Sequence, residues 1–270
     1  MIPPLALALV AATHPWLADD AARDTIGTRF APPAGFQRLE LAPASFGAYL
    51  RALPLLPGRG TVLLFDGRAK RNQTAQAAVL DIDVGTRDLQ QCADAVMRFF
   101  AEYLRAAGRE GEVCFRATSG DELPWVRFRA GERARARGPR IEWVAGGRAD
   151  ATYLGFRRYL DTVFQWAGTA SLARGLRKVD GPEPVSAGDV FLQGGAPGHA
   201  VVVVDVAAND RGERVFLLAQ SYMPAQQPHV LANFNGPSPW YALPAAGALV
   251  TPEWTFDRGA RYRFDGVRCP

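Results

Sequence analysis

Gly198-His199-Ala200-Val201-Val202-Val203-Val204-Asp205 and, after a polar turn at Asn209 to Gly212, Val215-Phe216-Leu217-Leu218-Ala219-Gln220-Ser221-Tyr222 decide how this chain is read. The valine run is β-branched and wholly apolar, as a strand buried on both faces requires. The second run is apolar as well. Two such runs joined by a short glycine-containing turn form an antiparallel hairpin, which sets Gln220 beside the start of the first strand, where His199 stands. Strand alternation places His199, Val201, Val203 and Asp205 on one face. An amide oxygen at Gln220 can accept from one imidazole nitrogen and leave the other facing a third group.

The neighbouring sequence extends this reading. Gly188-Asp189-Val190-Phe191-Leu192 precedes the hairpin as a further strand. Upstream, residues 154–166 are amphipathic and 171–179 form a second short helix, while 113–117, 125–129 and 141–144 read as strands. The clearest helix starts at Asp88, an N-cap with Gln91 three residues later in capping-box position. Leu89, Ala93, Val96, Met97, Phe100 and Leu104 then recur at helical spacing, and Gly108 ends the run. Residues 61–65 and 77–84 read as strands, and 19–57 wrap the surface. Residues 233–270, rich in Pro, Trp and Tyr, pack across the core. The fold expected is α+β: a core of antiparallel sheet, a helix bearing a possible nucleophile, and an N-terminal elaboration, in one domain over 19–270.

Composition narrows the function classes. The chain has 270 residues, 48% apolar and 21% charged. That excludes a disordered protein, a coiled coil and a collagen-like repeat. No apolar run is long enough for a membrane-spanning helix. All 31 basic residues but Lys70 and Lys178 are Arg, and the formal charge is +4. The densest basic run, Arg129 to Arg140, carries Gly and Pro and reads as a solvated hairpin or loop, so no nucleic-acid partner is expected. Residues 1–18 read as a secretory signal or a disordered segment, with an apolar stretch ending in Ala11-Ala12. Only three Cys and three His occur. A Cys-rich zinc module is excluded, and no third ligand is spaced to join His199 and His229 on a metal. In an oxidising compartment an odd number of Cys leaves at least one thiol free or paired between molecules.

Among these few residues Cys92 is the candidate nucleophile. It falls in the first helical turn, at the edge of the apolar stripe, where the helix N-terminus favours a thiolate. The competing reading is a small residue packing the helix. Cys114 alternates into a strand core, and Cys269 is next to the C-terminus. Thr169 and Ser171 read as a turn and a cap. Asp81 and Asp83 share a strand face, and Lys70, Asn72 and Gln73 line a rim. Trp125, Trp240, Tyr241 and Trp254 are core or lid residues unless they stack on a sugar. No phosphate or dinucleotide loop is present, so no cofactor is expected.

A Cys at a helix start, a strand opening His199-Ala200-Val201 and a strand ending Gln220-Ser221-Tyr222 together resemble the papain-type order Cys, His, Asn, whose last element reads Asn-Ser-Trp. The stretch from Gly188-Asp189 to Gly198-His199 is similar to NlpC-type cell-wall peptidases. Two departures stand out: the Asp-Cys-Ser-Gly of the NlpC type is absent, and Thr86 occupies the position of the papain-type Gln, for which Gln90 or Gln91 are the available substitutes. Residues 53–256 more closely resemble an uncharacterised bacterial domain-of-unknown-function family, often of exported proteins. Asp88-Leu89-Gln90-Gln91-Cys92-Ala93-Asp94-Ala95, Pro197-Gly198-His199-Ala200-Val201, Ala219-Gln220-Ser221-Tyr222-Met223-Pro224 and Thr251-Pro252-Glu253-Trp254 carry that likeness. The thiol-hydrolase resemblance implies a periplasmic or secreted cysteine hydrolase acting on an amide bond, with cell-wall peptide as substrate. Cys92, His199 and Gln220 would be catalytic, with Gln91, Ser221 and Tyr222 binding substrate. The alternative is a non-catalytic module of the same fold that binds peptide or glycan.

Overall fold

A computed structural model of the chain describes residues 14–17, 23–236 and 239–265. The expected signal segment falls almost entirely outside these residues, and so does Cys269.

The expected hairpin lies at the centre of the fold. The main sheet is built from β1 (Gln76–Val79), β2 (Val190–Gln193), β3 (His199–Ala208), β4 (Arg214–Gln220), β5 (His229–Leu231) and β6 (Arg261–Arg263). Their spatial order is β1-β5-β4-β3-β2-β6, every pairing antiparallel, with three two-residue strands completing nine. The architecture is therefore α+β around one large antiparallel sheet.

Each face of the sheet is sealed differently. On one, Ala200, Val202, Val204, Leu217 and Ala219 meet α1 (Cys92–Ala106), through Ala93, Val96 and Met97. On the other, Val201, Val203, Phe216 and Leu218 meet the C-terminal tail through Leu249 and Phe256. Cys92 to Leu104 of α1 are all buried. A helix buried on every side must pair its charged residues internally. Arg98 does so, bonding Asp83 Oδ2 at 2.7 Å and lying 3.5 Å from Glu102.

Several expectations change. The α1 helix begins at Cys92, with Gln91 as N-cap, and not at Leu89. Asp88 turns outward from that helix to accept the Ala225 N–H at 2.7 Å. Residues 125–129 form a helix, because Trp125 and Phe128 bury at i,i+3 spacing beneath α2 (Tyr153–Trp166). Residues 61–65 make only isolated bridges. A bulge in β3 opposite Leu217 and Leu218 reverses the alternation, so Asp205 leaves the face of Val203 and binds Arg38 and Arg51. Residues 132–145 do form a solvated hairpin.

Candidate functional site

The site assembles where α1 begins and β3 begins. The loop before Cys92 is held by Arg98, which donates to the Asp83 carbonyl and to Gln90 Oε1, the latter at 2.8 Å. From the other side the buried Ser221 hydroxyl lies 2.7 Å from the Gln226 carbonyl oxygen and 3.2 Å from that of Gln90. The two loops that flank the site are thus tied to each other.

His199 is positioned by a glycine turn. A Cβ on Gly198 would come within 2.4 Å of both the Gly195 carbonyl oxygen and Thr169 Oγ1, so only glycine fits there. Thr169 opens α3 (Thr169–Gly175) and donates to the Gly195 carbonyl at 3.1 Å, which fastens the turn to that helix. The imidazole is 1% exposed. The rings of Tyr222, Trp254 and Phe256 surround it, with centroids 4.7, 5.2 and 5.8 Å away.

His199 Nε2 lies 2.9 Å from Gln220 Oε1. An amide oxygen only accepts, so Nε2 carries the proton. Burial pushes the imidazole down to about 4 despite the Gln220 bond and the Glu253 carboxylate, and it is neutral at pH 7. Nδ1 therefore presents a lone pair, and no group hydrogen-bonds it among the described residues. The Gln220 amide is filled at its other end as well: Nε2 donates to Glu253 Oε2 at 2.7 Å and faces His229 Nε2 at 3.3 Å. His229 is fully buried and also neutral. Its Nδ1–H donates to the Gln227 carbonyl at 3.0 Å, which leaves its Nε2 as the acceptor. Glu253 in turn pairs with the buried Lys70 ammonium and accepts from Asn72 Nδ2 at 3.3 Å.

Cys92 is the free thiol among the described residues; Cys114 is held in a disulfide. Cys92 and Cys114 are therefore not joined to each other. The Cys92 sulfur stands at the first residue of α1, where the main-chain N–H groups of Cys92, Ala93 and Ala200, the last being the residue after His199, favour its ionised form. Among the described residues no hydrogen bond joins the sulfur to the imidazole. The expected thiolate is also overturned. Burial, and then the Asp94 carboxyl two residues on, push the thiol up to about 11, which outweighs those N–H groups.

The remaining candidates separate clearly. The Tyr222 ring lies against His199. Gln91 Nε2 donates to Asp88 Oδ1 at 3.0 Å and Gln90 is bound by Arg98, so neither amide is directed at the thiol. Asp81 and Asp83 pair with Arg23 and with Arg98 and Arg157, not with each other. Trp240 and Tyr241 are buried, their ring N–H and hydroxyl bonding main-chain carbonyls. No group of three or more His, Cys, Asp or Glu is arranged to hold a metal among the described residues. From the sequence, Lys70 is read as a rim residue, His229 is weighed only as a metal partner of His199, and Glu253 has no role. Glu253, preceding Trp254 in an otherwise apolar segment, was the signal available.

The chain belongs to the family described as Domain of unknown function (4846), whose model matches residues 26–263. No curated protein and no solved structure matches it.

Proposed function

We propose that this protein is a cysteine hydrolase of amide bonds with a papain-like site, in which Cys92 is the nucleophile, His199 the base and Gln220 the residue that orients it. The observation carrying this reading is the Gln220 amide, which faces its oxygen to His199 Nε2 at 2.9 Å and so leaves Nδ1 as the neutral ring's lone pair, on a strand against which the Cys92 helix packs. Cys92 Sγ attacks the substrate carbonyl as Nδ1 takes the thiol proton. The C–N bond breaks, the amine leaves with that proton, and the acyl group stays on sulfur as a thioester. Water, deprotonated by His199, then hydrolyses the thioester and restores the thiol. The first-turn N–H groups of α1 stabilise the oxyanion. Because thiol and imidazole are both neutral at rest, proton transfer accompanies attack, and the contact between them closes when substrate enters.

The Cys114 disulfide supports an exported protein in an oxidising compartment, and the resemblance to NlpC-type enzymes supports cell-wall peptide as the substrate. A second reading, a non-catalytic module binding peptide or glycan, draws on a different observation. The thiol is buried, and both glutamines beside it are engaged elsewhere. A peptidyl vinyl sulfone separates the two. Hydrolase chemistry yields a single covalent adduct at Cys92 by intact mass, lost in His199→Ala; a binding module yields no adduct, or one indifferent to His199.

A further inference from the structure

We infer that Glu253, backed by Lys70, is a positioning residue of this site: its carboxylate fixes the orientation of the Gln220 amide and thereby the tautomer of His199. The inference rests on the reading of Cys92, His199 and Gln220 given above. A glutamine amide has nearly the same shape when flipped by 180°, so packing alone does not decide which end faces the imidazole. The choice is made by what faces the other end. Two acceptors do so here. The Glu253 carboxylate lies 2.7 Å from Gln220 Nε2, and His229 Nε2 lies 3.3 Å away with its lone pair toward the amide. Flipping Gln220 would set an amide oxygen against both, and leave buried N–H groups against His199.

The flipped state has a chemical consequence. His199 Nε2 would then have to accept, and the ring proton would move to Nδ1. The nitrogen that serves as base would carry a proton and no lone pair. Glu253 is thus two hydrogen bonds from the ring, yet decides which nitrogen is basic. Lys70 holds that carboxylate in place. Its ammonium is 8% exposed and pairs with the same Oε2 that Gln220 uses, while Asn72 Nδ2 holds Oε1 at 3.3 Å. The titratable or charged groups that bear on His199 are Glu253, Lys70, His229 and Tyr222, and of these Lys70 and His229 contact the Gln220–Glu253 link.

The test is nitrogen-detected NMR of the His199 ring, together with the rate of Cys92 alkylation by iodoacetamide at pH 7. Wild type shows a single Nε2–H tautomer, and Glu253→Gln, which keeps an oxygen for Gln220 and Lys70, shows the same. Glu253→Ala populates both tautomers and slows alkylation by about tenfold, the cost of an unmatched buried polar contact. Lys70→Met combined with Glu253→Ala removes both charges, leaves none unpaired, and serves as the folded comparison. A single Nε2–H tautomer in that double variant overturns the inference. Alkylation that ignores His199→Ala in an otherwise wild-type chain overturns the hydrolase reading instead, while the tautomer readout still judges Glu253.

Discussion

Replacing Asp94 with Asn should stabilise the protein at neutral pH and leave it unchanged in acid. Asp94 is the third residue of α1, where a carboxylate ordinarily helps a helix. Its Oδ2 accepts the Gln91 N–H at 3.1 Å in that role. Its Oδ1 is buried and has no hydrogen-bond partner. Burial pushes this carboxyl from 3.8 up to about 8, against the main-chain N–H groups of Gln91 and Asp94. The folded pKa exceeds the unfolded one, so the stability is fully present below about 4 and is lost as pH rises from 4 to 8. Each pH unit costs about 1.4 kcal/mol, which makes the loss at pH 7 roughly 4 kcal/mol. The favourable helix dipole is about 0.3–1 kcal/mol and does not reverse the sign. Asn keeps the oxygen that caps Gln91 and never ionises. Urea unfolding at pH 4 and pH 7 should therefore give coincident midpoints for D94N and wild type in acid, and a clearly higher midpoint for D94N at pH 7. Lower midpoints for D94N at both pH values would instead mean that Asp94 is an ordinary ionised cap. Because Asp94 also raises the Cys92 thiol, the same variant should shift the pH dependence of Cys92 alkylation downward.

The two buried imidazoles carry the opposite sign. Their folded pKa values, about 4 for His199 and about 3 for His229, lie below the ordinary 6.5. The unfolded chain binds protons first, and stability falls as pH drops from 6.5 toward 4, by about 3 kcal/mol for His199 alone. In His229→Gln, chemical unfolding between pH 6 and pH 4 should show a shallower loss than in wild type. Arg98→Met leaves the buried Glu102 and the Asp83–Gln90 loop without their cation. Breaking a buried pair from one side costs about 3–5 kcal/mol, and limited proteolysis should cut the 83–91 loop in that variant first.

The hairpin was legible because Val201 to Val204 and Val215 to Ala219 are apolar without interruption, and the polar turn between them sets their pairing. The approach of Gln220 to His199 followed from that register. What escaped depended on groups far apart in sequence. The capping-box pattern at Asp88 was misleading, because Asp88 finds the Ala225 N–H across 137 residues in place of the helix it precedes. The thiol was expected to ionise on local grounds, but burial of the whole first turn is a property of the packed sheet, invisible in Gln90-Gln91-Cys92. Trp125 and Phe128 read as strand because five residues show neither period clearly, and their burial against α2 decides for helix. Lys70, His229 and Glu253 sit on three separate segments, and no local pattern joins them.

Whether His199 acts as the base for Cys92 is read from the pH dependence of Cys92 alkylation in wild type and His199→Ala. An isolated thiol at about 11 is thiolate in roughly one part in 10⁴ at pH 7 and reacts only as pH approaches that value. With His199 as base, the wild-type rate climbs as the imidazole loses its proton near pH 4, holds level through neutrality, and climbs again as the thiol ionises. His199→Ala keeps only the alkaline rise. If both proteins show one rise near pH 11 and no acid step, His199 is not a base for Cys92.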